Sequence, residues 1–379
     1  MNGRILFFDQ YGTKYGGAQY ILIDIIEYLL KKKIDVSIAL PNNNEISKIL
    51  LKKGVDVYHF EDFVDLQKYK YKSNILYHLI FSLVYAFKIK NYFNNKKIKI
   101  IYCNGGRTFI LGLILSYFLK SNLVYHIHLI FTNKQKLLLK ILGKFNRLKK
   151  IIVVSEHLKS QYLNSKIYKK ILVINNWPNF KILPKKISRK TGSTLKIIVL
   201  GRISEEKGQL LLINNLSHID IKHKIMVSFV GSFKNSYVEE VFLNKIKNFK
   251  NKNLVLKFKG YIENIEKEII NYDFLLQPSI TPEAQSLVLI EAFASNVIVI
   301  SNNIPNNKYI IKHGHNGLLY EAGNEKSLNY LFQDIYQSKY ELKKIQERAY
   351  KDFQKYYSKD QQLKKIYNNI CNLIKTQYY

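Results

Sequence analysis

Cysteine is scarce in this sequence, with two residues, Cys103 and Cys371, in a chain of 379. They lie far apart, and neither has a second cysteine or a histidine at the spacing of a metal site. A disulfide framework or structural zinc site is therefore not expected, and a reducing compartment fits best. Apolar side chains make up 47% of the chain, which excludes disorder. The length predicts two domains.

Long apolar segments are also missing. The longest runs lie at 75–87 and 108–119, and both are shorter than the roughly 20 residues of a membrane-spanning helix. The first residues, MNGRILFFDQ, run directly into a strand-like pattern and show no cleavage site of a signal peptide. We therefore expect a soluble cytoplasmic protein that can contact the inner membrane from its cytoplasmic face.

Acidic residues are few, with 28 Asp and Glu against 60 Lys and Arg, so the net charge is +32. Such a charge suits nucleic acid, an anionic membrane or an anionic substrate. The abundance of Lys, Asn, Ile and Tyr together is also what AT-rich codons produce. Genomic drift and selected function therefore both stay open as explanations of the charge.

Short apolar runs alternate with helical stretches along the chain. One set of runs starts with RILFFD at 4–9 and ends near residue 175, and a second set starts with LKIIVLG at 195–201. Strands that alternate with helices predict βαβ units and parallel sheets. We therefore expect an α/β protein with two doubly wound domains in tandem.

The boundary between the domains is predicted at a polar stretch that holds two of the six prolines and the only tryptophan, Trp177. Such a composition is typical of an interdomain linker. The final residues read as a helix that could pack back on the N-terminal domain. The predicted order is an N-terminal domain at 1–175, a linker at 176–194, a C-terminal domain at 195–355 and a last helix at 356–379.

Ligands of doubly wound sheets bind at the carboxyl ends of the strands. Residues that directly follow the predicted strands are therefore candidates for a site. They are Gly16, Gly17, Asn104, His128, Ser155, Gly201, Arg202, Gly231, Ser279 and Glu283.

Two loops carry features of phosphate binding. YGGAQ at 15–19 opens the first long helix, where glycines and a helix N-terminus favour a phosphate, although an ordinary turn has the same composition. In LGRISEEKGQ at 200–209, Arg202 and Lys207 could neutralise a diphosphate. The alternative is two solvated charges.

The segment PEAQSLVLIEAFASN at 282–296 places Glu283 before a buried helix and Glu291 within it. A carboxylate on an apolar helix is costly unless it is bonded. The N–H groups of Gln285, Ser286 and Leu287 form a cradle for a phosphate at the helix N-terminus. Carboxylates on either side of a diphosphate would suit the hydroxyls of a nucleotide sugar. The alternative makes Glu283 a first-turn acid and Glu291 a surface residue.

Taken in order, these motifs resemble glycosyltransferase family 4, retaining enzymes of the GT-B architecture, nearly end to end. The resemblance rests on Gly16 and Gly17 after the first strand, on His128 closing a later strand and on GRISEEKG at 201–208. It also rests on the pair Glu283 and Glu291 and on HGHNGLLYEAGN at 313–324, where a glycine turn precedes a strand. GT-B implies two Rossmann-like domains that face each other across a cleft.

The resemblance implies roles for these residues. Arg202 and Lys207 would bind the donor diphosphate, Glu283 the donor sugar and Glu291 the ribose. The implied catalytic residues are His128, Glu283, Arg202 and Lys207. The implied donor-binding residues are Gly16, Gly17, Gly201, Arg202, Lys207, Gly231, Glu283, Gln285, Ser286, Leu287 and Glu291.

The same resemblance implies a mechanism. Acceptor attack would occur on the front face, with the departing phosphate taking the acceptor's proton. Gly17 would let its loop approach the diphosphate and the acceptor, and His128 would lie near the reacting sugar. The donor would be UDP- or GDP-linked. No metal cofactor is implied, and the chain contains no Asp-x-Asp.

The sequence departs from the family in two places. The family often has Gly-Phe-Gly after the first glutamate, whereas this chain has Ala284, Gln285 and Ser286; the Ser286 hydroxyl could add a contact. The segment SNNIPNNKYI at 301–310 has neither the usual glycines nor the usual acid. His126 shares a face with His128 and stays an alternative site residue.

The acceptor is expected on the N-terminal domain. The apolar stretch at 74–93 reads as a core helix, with a membrane contact as the alternative. The stretch at 132–150 interleaves leucine with lysine, as an interfacial helix on anionic lipid does, although a solvated basic face fits as well. The family and this stretch together suggest a glycan or polyprenyl-linked glycan acceptor, as in bacterial surface polysaccharide synthesis.

Two rival functions remain at this stage. A nucleotide-sugar epimerase of the same architecture would share the diphosphate site but would turn over its donor without an acceptor. A basic nucleic-acid-binding protein would need aromatic platforms or a known reading module, and the sequence shows neither. A hexosyl-type glycosyltransferase without a nucleic-acid partner is the favoured reading.

Overall fold

The computed structural model describes residues 3–9, 16–41, 44–60, 75–180, 194–321 and 323–375. The chain divides into two compact units. The first comprises Met1–Asn175 together with Asp360–Tyr379, and the second comprises Asn176–Lys359. Most of the linker predicted from the sequence lies outside the described residues.

The first unit is built on a parallel sheet of seven strands in the order β3-β2-β1-β4-β5-β6-β7. The strands are β1 (Arg4–Asp9), β2 (Val36–Leu40), β3 (Asp56–His59), β4 (Ile98–Asn104), β5 (Asn122–Ile127), β6 (Leu148–Val153) and β7 (Ile171–Val173). The helices are α1 (Gly17–Lys31), α2 (Glu45–Lys52), α3 (Ile75–Phe93), α4 (Phe109–Phe118), α5 (Asn133–Leu142) and α6 (Glu156–Ser160). Because the order reverses between β1 and β4, their carboxyl ends form the switch point where ligands of such sheets bind.

The register of the first sheet brings three polar residues together at its carboxyl edge. Asp9 at the end of β1 lies opposite Asn104 at the end of β4. Asn104 in turn lies opposite His126 of β5. Between Arg4 and Asp9, β1 is apolar and buried, as is typical of a strand covered on both faces. The polar side chains are therefore concentrated where the strands end.

The second unit has a parallel sheet of six strands in the order β10-β9-β8-β11-β12-β13. The strands are β8 (Leu195–Leu200), β9 (Ile225–Val230), β10 (Leu254–Phe258), β11 (Phe274–Gln277), β12 (Ile298–Asn302) and β13 (Leu318–Tyr320). The helices are α7 (Gln209–Ser217), α8 (Ser236–Lys247), α9 (Ile265–Ile269), α10 (Leu287–Ala294), α11 (Pro305–Lys308), α12 (Glu325–Tyr336) and α13 (Leu342–Asp352). Its switch point lies between β8 and β11.

Alternate residues of β8 serve the two faces of the second sheet. Ile197 and Val199 belong to one buried cluster, which includes residues of α7, α8 and α12. Ile198 belongs to a second cluster, which includes residues of α10. Both faces are therefore covered by helices, and the two parallel sheets confirm the predicted α/β fold with two Rossmann-like domains.

The last helix, α14 (Lys359–Lys375), joins the first unit from Asp360 onward. The Gln362 side chain accepts a hydrogen bond from the backbone N–H of Asn175 at 2.9 Å. The carbonyl oxygen of Leu373 accepts one from the side chain of Asn122 at 3.1 Å. The apolar stripe of α14, which includes Ile366 and Ile370, is buried. The C-terminal residues thus complete the core of the first unit.

The alternating pattern located the strands that it predicted, with small differences at their ends. It missed β7 and β13, because strands of three residues are too short to show a period. The family resemblance did anticipate β13. The core-helix reading of 74–93 was half right: Ala86 and Ile89 of α3 are buried, but the opposite face is exposed. Within the described ranges, no helix is both long and apolar enough to cross a membrane.

Replacing Ile370 by alanine should destabilise the first unit, because this side chain is 2% exposed and truncation leaves a cavity. Buried Ile-to-Ala changes cost about 2–5 kcal/mol. Denaturant unfolding measures the loss. Lys364→Ala on the exposed face of α14 is the matched control and should change the free energy of unfolding little. An unaltered stability of Ile370→Ala would contradict this packing.

Candidate active site

A cavity of about 720 Å³ lies at the carboxyl edge of the first unit's sheet. Its lining includes the polar residues Asp9, Asn104 and His128 and the apolar residues Leu129 and Leu138. The volume falls within the roughly 300–1,000 Å³ typical of small-molecule sites. A mixed lining of this kind suits a ligand with both polar and apolar groups.

Hydrogen bonds join the polar residues of this cavity. The side-chain amide of Asn104 donates to Asp9 Oδ1 at 2.9 Å, and His128 Nε2 lies 2.7 Å from Asn104 Oδ1. The Gln19 amide also donates to the Asp9 carboxylate, at 3.3 Å. Asp9 is fully buried and needs such donors. Sequence reasoning missed Asp9, although the strand-end rule would have found it as the last residue of RILFFD.

The structure separates the two histidines of the strand. His126 is 1% exposed within β5, and its Nδ1 lies 2.9 Å from the Tyr102 hydroxyl. His128 follows the strand end, and only His128 of the two is among the residues that line the cavity. Burial lowers the pKa of His128 to about 4, so its imidazole is neutral at physiological pH. These positions favour His128 over His126 as the site residue.

The glycines after β1 lie beside the same cavity. Gly16 is the N-cap of α1 with extended backbone, and Gly17 begins the helix. The Gly16 N–H donates to the side chain of Gln19 at 3.1 Å. Both glycines line the cavity at the amino end of α1, where partial positive charge collects. The residues between Asp9 and Gly16 lie outside the described part of the chain.

Ser155, another strand-end candidate, has a structural role. Its hydroxyl accepts a hydrogen bond from the Leu158 N–H at 3.2 Å and caps α6. Ser155 is not among the residues that line the cavity. The strand-end rule therefore selected a helix cap in this case.

In the second unit, two glycines allow the ends of β8 and β9 to approach closely. Gly201 has φ +133° and Gly231 has φ +151°, which side chains of L-residues rarely tolerate. A Cβ on Gly231 would lie 2.1 Å from the carbonyl oxygen of Gly201. Glycine is therefore required at 231 for the backbone path that leads to Arg202.

An ion pair between Lys207 and Glu283 stands at the switch point of the second sheet. Lys207 Nζ lies 2.7 Å from Glu283 Oε1, and both side chains are 26% exposed. The Ser279 hydroxyl donates to the same oxygen at 3.0 Å, and the Gln277 amide lies 3.4 Å from it. The structure thus brings together residues that the sequence places 76 positions apart. Partial burial strengthens this pair relative to a surface pair.

Arg202 lies at the other side of the same loop and is more exposed. Its guanidinium reaches Glu206 at 3.3 Å, and its side chain is 57% exposed. Glu206 and Glu205 also pair with Lys234. Exposed pairs of this kind contribute little free energy, so Arg202 can exchange Glu206 for another anion at small cost.

A buried polar network supports the loop that carries Glu283. The Gln277 side chain donates to the Ser286 hydroxyl at 2.9 Å and accepts from the side chains of Ser301 and Asn307 at 2.8 and 2.9 Å. Asn302 donates to the carbonyl oxygens of Pro278 and Ser279. The segment 301–310, which departs from the family pattern, therefore anchors this loop. Its run of asparagines was the signal that sequence reasoning did not use.

Helix α10 begins at Leu287, with Ser286 as its N-cap residue. The first N–H groups of a helix have no intrahelical acceptor, so this end can hold an anion. The suggested ligand contact of the Ser286 hydroxyl is not supported, because that hydroxyl is 0% exposed and bonded to Gln277. The Gln285 side chain is also engaged, since it accepts from the Asn176 N–H at 2.6 Å. Only the backbone of these residues is left for the predicted cradle.

Glu291 lies within α10 and is partly buried. Its carboxyl has no hydrogen-bond or ion-pair partner among the described residues, and burial raises its pKa from 4.5 to about 7. An unpaired, partly buried carboxyl is unfavourable for folding. Such groups are common in functional sites, where a ligand supplies the missing partner.

Two family models match the sequence. The model of Glycosyltransferase Family 4 matches residues 15–179, and the model of Glycosyl transferases group 1 matches residues 181–352. Two Rossmann-like units in tandem are the domain organisation of GT-B glycosyltransferases, which agrees with both family models. The chain belongs to glycosyltransferase family 4, with a group 1 domain as its second half. No curated protein matches it in sequence.

Solved structures agree in fold. HepE of Anabaena in complex with UDP has a TM-score of 0.75 at 20% identity, covering 97% of this chain and 100% of that one. A glycosyltransferase of Rickettsia africae has a TM-score of 0.72 at 20% identity, covering 99% of each chain. The lipopolysaccharide outer core galactosyltransferase WaaB has a TM-score of 0.73 at 16% identity, covering 97% and 99%. The GT-B fold is therefore shown along almost the whole chain.

Glu291 predicts a pH dependence of stability. Its folded pKa of about 7 exceeds the ordinary 4.5, so between these values the folded state binds more protons than the unfolded state. This carboxyl therefore lowers the free energy of unfolding as pH rises from 4.5 to 7. Glu291→Gln should match wild type in melting temperature near pH 4.5 and exceed it at pH 8. Parallel melting curves across this range would show that Glu291 titrates normally.

Proposed function

We propose that this protein is a retaining glycosyltransferase that moves a hexose from a nucleotide-diphosphate sugar to a glycan or lipid-linked glycan. The proposed setting is bacterial surface polysaccharide synthesis at the cytoplasmic face of the membrane. The observation that carries the proposal is the Lys207–Glu283 pair at the switch point of the second sheet. A cation and a carboxylate in contact can bind a diphosphate and a sugar hydroxyl side by side.

Lys207 is suited to the diphosphate. Its ammonium group has three donors, of which Glu283 takes one at 2.7 Å. A second donor can reach a phosphate oxygen without breaking the pair. Arg202 can turn from Glu206 to the same anion. Both cations would then neutralise the charge that grows on the leaving nucleotide, which is where electrostatic stabilisation accelerates transfer.

Glu283 is held by the Ser279 hydroxyl and the Lys207 ammonium. Both donors bind Oε1, so we propose that Oε2 accepts from a hydroxyl of the donor sugar. In the proposed front-face reaction, the acceptor oxygen bonds to the anomeric carbon as its bond to the phosphate breaks. The acceptor proton passes to the departing phosphate. No protein base and no metal ion are required for this proposal.

The remaining donor contacts would come from backbone and from Glu291. An added Cβ on Gly201 would meet nothing within 4 Å, so this glycine leaves room for a nucleotide beside β8, while Gly231 lets the end of β9 approach it. The N–H groups at the start of α10 face an anion favourably. Glu291 would accept hydrogen bonds from the ribose hydroxyls, which supply the partner it lacks. Gly16 and Gly17 are proposed to border the diphosphate and the acceptor, and His128 to contact the reacting sugar.

The structural neighbours support a choice of substrates to test first. HepE structures hold UDP, UDP with glucose, and UDP-glucose. WaaB is a galactosyltransferase of the lipopolysaccharide outer core. UDP-glucose and UDP-galactose are therefore the first donors to assay, with GDP-mannose as the alternative nucleotide.

We also propose that the first unit docks on an anionic membrane through 132–150. On α5 the side chains of Leu137, Leu138 and Ile141 are exposed, and Leu139 alone is buried. Lysines 134, 136, 140 and 144 alternate with them. A helix with exposed leucines among lysines has the composition of an interfacial helix.

The apolar surface continues beyond α5. The ring centroids of Phe145 and Tyr117 lie 6.2 Å apart. Lys90 Nζ lies 5.8 Å from the ring centroid of Phe118, the residue after Tyr117. The same lysine lies over Phe87 of α3, whose exposed face also holds Ile80, Leu83 and Val84. These residues follow the helical spacing of one face. Contiguous exposed apolar surface of this kind is typical of a membrane or protein contact.

The charge of this region favours a lipid surface. Residues 66–155 contain no Asp or Glu and 17 Lys and Arg. Uniform codon bias would spread the few acidic residues along the chain, so drift alone does not account for this stretch. Each basic residue close to an anionic bilayer contributes about 1 kcal/mol.

The donor proposal is tested by transfer assays with Glu283→Gln and Lys207→Met. Each variant should lose about 10²-fold in rate with its melting temperature retained, because a charge that stabilises the transition state is removed. Product NMR should show the anomeric configuration of the donor, and a chelator should leave the rate unchanged.

The matched controls are Lys259→Met and Glu268→Gln, which remove an ion pair of the same kind elsewhere in the second unit. They should leave the rate near wild type. A wild-type rate in Glu283→Gln would overturn its donor role. Donor turnover without an acceptor would favour the epimerase, inversion would overturn the retaining assignment, and loss of activity with chelator would require a metal.

The membrane proposal is tested by vesicle sedimentation. Changing lysines 134, 136, 140 and 144 to glutamine should weaken binding to vesicles with anionic lipid by up to about 10³-fold, given roughly 1 kcal/mol for each of the four charges. The control variant changes lysines 247, 250, 252 and 257, which are exposed in the second unit, to glutamine in the same way. If both variants lose vesicle binding equally, net charge alone explains the binding and the 132–150 surface has no special role. If the wild-type protein does not bind the vesicles, the proposal is contradicted.

A further inference from the structure

A chain of hydrogen bonds runs from the start of α1 to His128. The Gly16 N–H donates to Gln19 Oε1 at 3.1 Å, which fixes the orientation of that amide. Gln19 Nε2 then faces the Asp9 carboxylate at 3.3 Å. Asp9 also accepts from Asn104 Nδ2 at 2.9 Å. Asp9, Gln19 and Asn104 are each at most 3% exposed, so water does not compete for these bonds.

The carboxylate determines which way Asn104 points. The Asp9 carboxyl accepts hydrogen bonds from Gln19 Nε2 at 3.3 Å and from Asn104 Nδ2 at 2.9 Å, so the NH₂ group of Asn104 faces Asp9. Its oxygen must then face His128 Nε2, at 2.7 Å. An amide oxygen is an acceptor, and the proton of this bond therefore resides on His128 Nε2. In a neutral imidazole the other nitrogen, Nδ1, is then an acceptor.

We propose that Asp9 and Asn104 are positioning residues that hold His128 in the Nε2–H tautomer, so that Nδ1 accepts a hydrogen bond from a substrate hydroxyl. Nδ1 has no partner among the described residues, and His128 lines the cavity. The inference rests on the proposed placement of His128 beside the substrate. It adds that His128 Nδ1 accepts a hydrogen bond from the substrate and does not donate one to it.

The surroundings of His128 keep it neutral. The His126 ring lies 3.9 Å away, centroid to centroid. Its Nδ1 faces the Tyr102 hydroxyl, and burial keeps the pKa of that phenol far above its ordinary value, so Tyr102 donates. Burial lowers the pKa of His128 to about 4, and Asp9 reaches the ring only through Asn104. A cationic His128 with both nitrogens protonated could not accept.

The tautomer is measured by two-bond ¹H–¹⁵N NMR of full-length protein with labelled histidine at pH 7.5. His128→Gln identifies the signals of His128. In wild type, the His128 signals should be those of the Nε2–H form. In Asp9→Asn, a new amide replaces the carboxylate and lets Asn104 turn over, so the Nδ1–H form should appear. Asn104→Ala should have the same effect, since it removes the acceptor from Nε2.

The matched control is Asn122→Ala, which removes another buried amide from the same sheet, bonded to the Leu373 carbonyl. It should lower stability and leave the His128 tautomer unchanged. In transfer assays, Asp9→Asn and Asn104→Ala should lower kcat by about 10–100-fold, because a small misplacement of a group beside the reacting atoms can cost about 10²-fold. Asn122→Ala should retain wild-type kcat.

The outcomes separate this inference from the proposed function. A wild-type His128 that is cationic or in the Nδ1–H form would overturn the inference, as would an unchanged tautomer in both variants. These results need no turnover. If the tautomer responds as expected but no nucleotide sugar is used, the positioning holds and the proposed substrate is wrong.

Discussion

The parallel strand order of each unit is the constraint on which the rest of the structure depends. Because β1 and β4 run in the same direction with the order reversing between them, their carboxyl ends leave a crevice that side chains from separate parts of the chain must fill. The same holds for β8 and β11 in the second unit. Asp9 and Asn104 meet in the first crevice, and Lys207 and Glu283 meet in the second.

Buried polar groups make both crevices rigid. In the first unit the donors around Asp9 determine the orientation of each amide and finally of the His128 ring. In the second unit Gln277 and Asn307 hold the loop that carries Glu283. Polar side chains held in this way are ordered before a ligand arrives, which limits the entropy lost on binding. Glu291 lies outside these networks, and its carboxyl lacks a partner among the described residues.

The sequence predicted the architecture well because periodicity reports burial. Apolar runs such as RILFFD and LKIIVLG became central strands. Periodicity carries no information on contacts between distant residues, so the Lys207–Glu283 pair and the Gln277 network were not predicted. The Ser286 hydroxyl was misjudged because its burial depends on Gln277, a partner nine positions away. For α3 the sequence left a core helix and a membrane contact as alternatives, because an apolar stripe looks alike whether it faces a core or a lipid.

Hydrogen exchange with mass spectrometry would test the central claim most directly, with full-length protein in UDP, in GDP and without nucleotide. The account predicts that one nucleotide slows amide exchange in 201–208 and in the first turn of α10, and that Glu291→Ala weakens this protection. Protection by neither nucleotide in these segments, or protection confined to the first unit, would contradict a donor site built around Lys207 and Glu283.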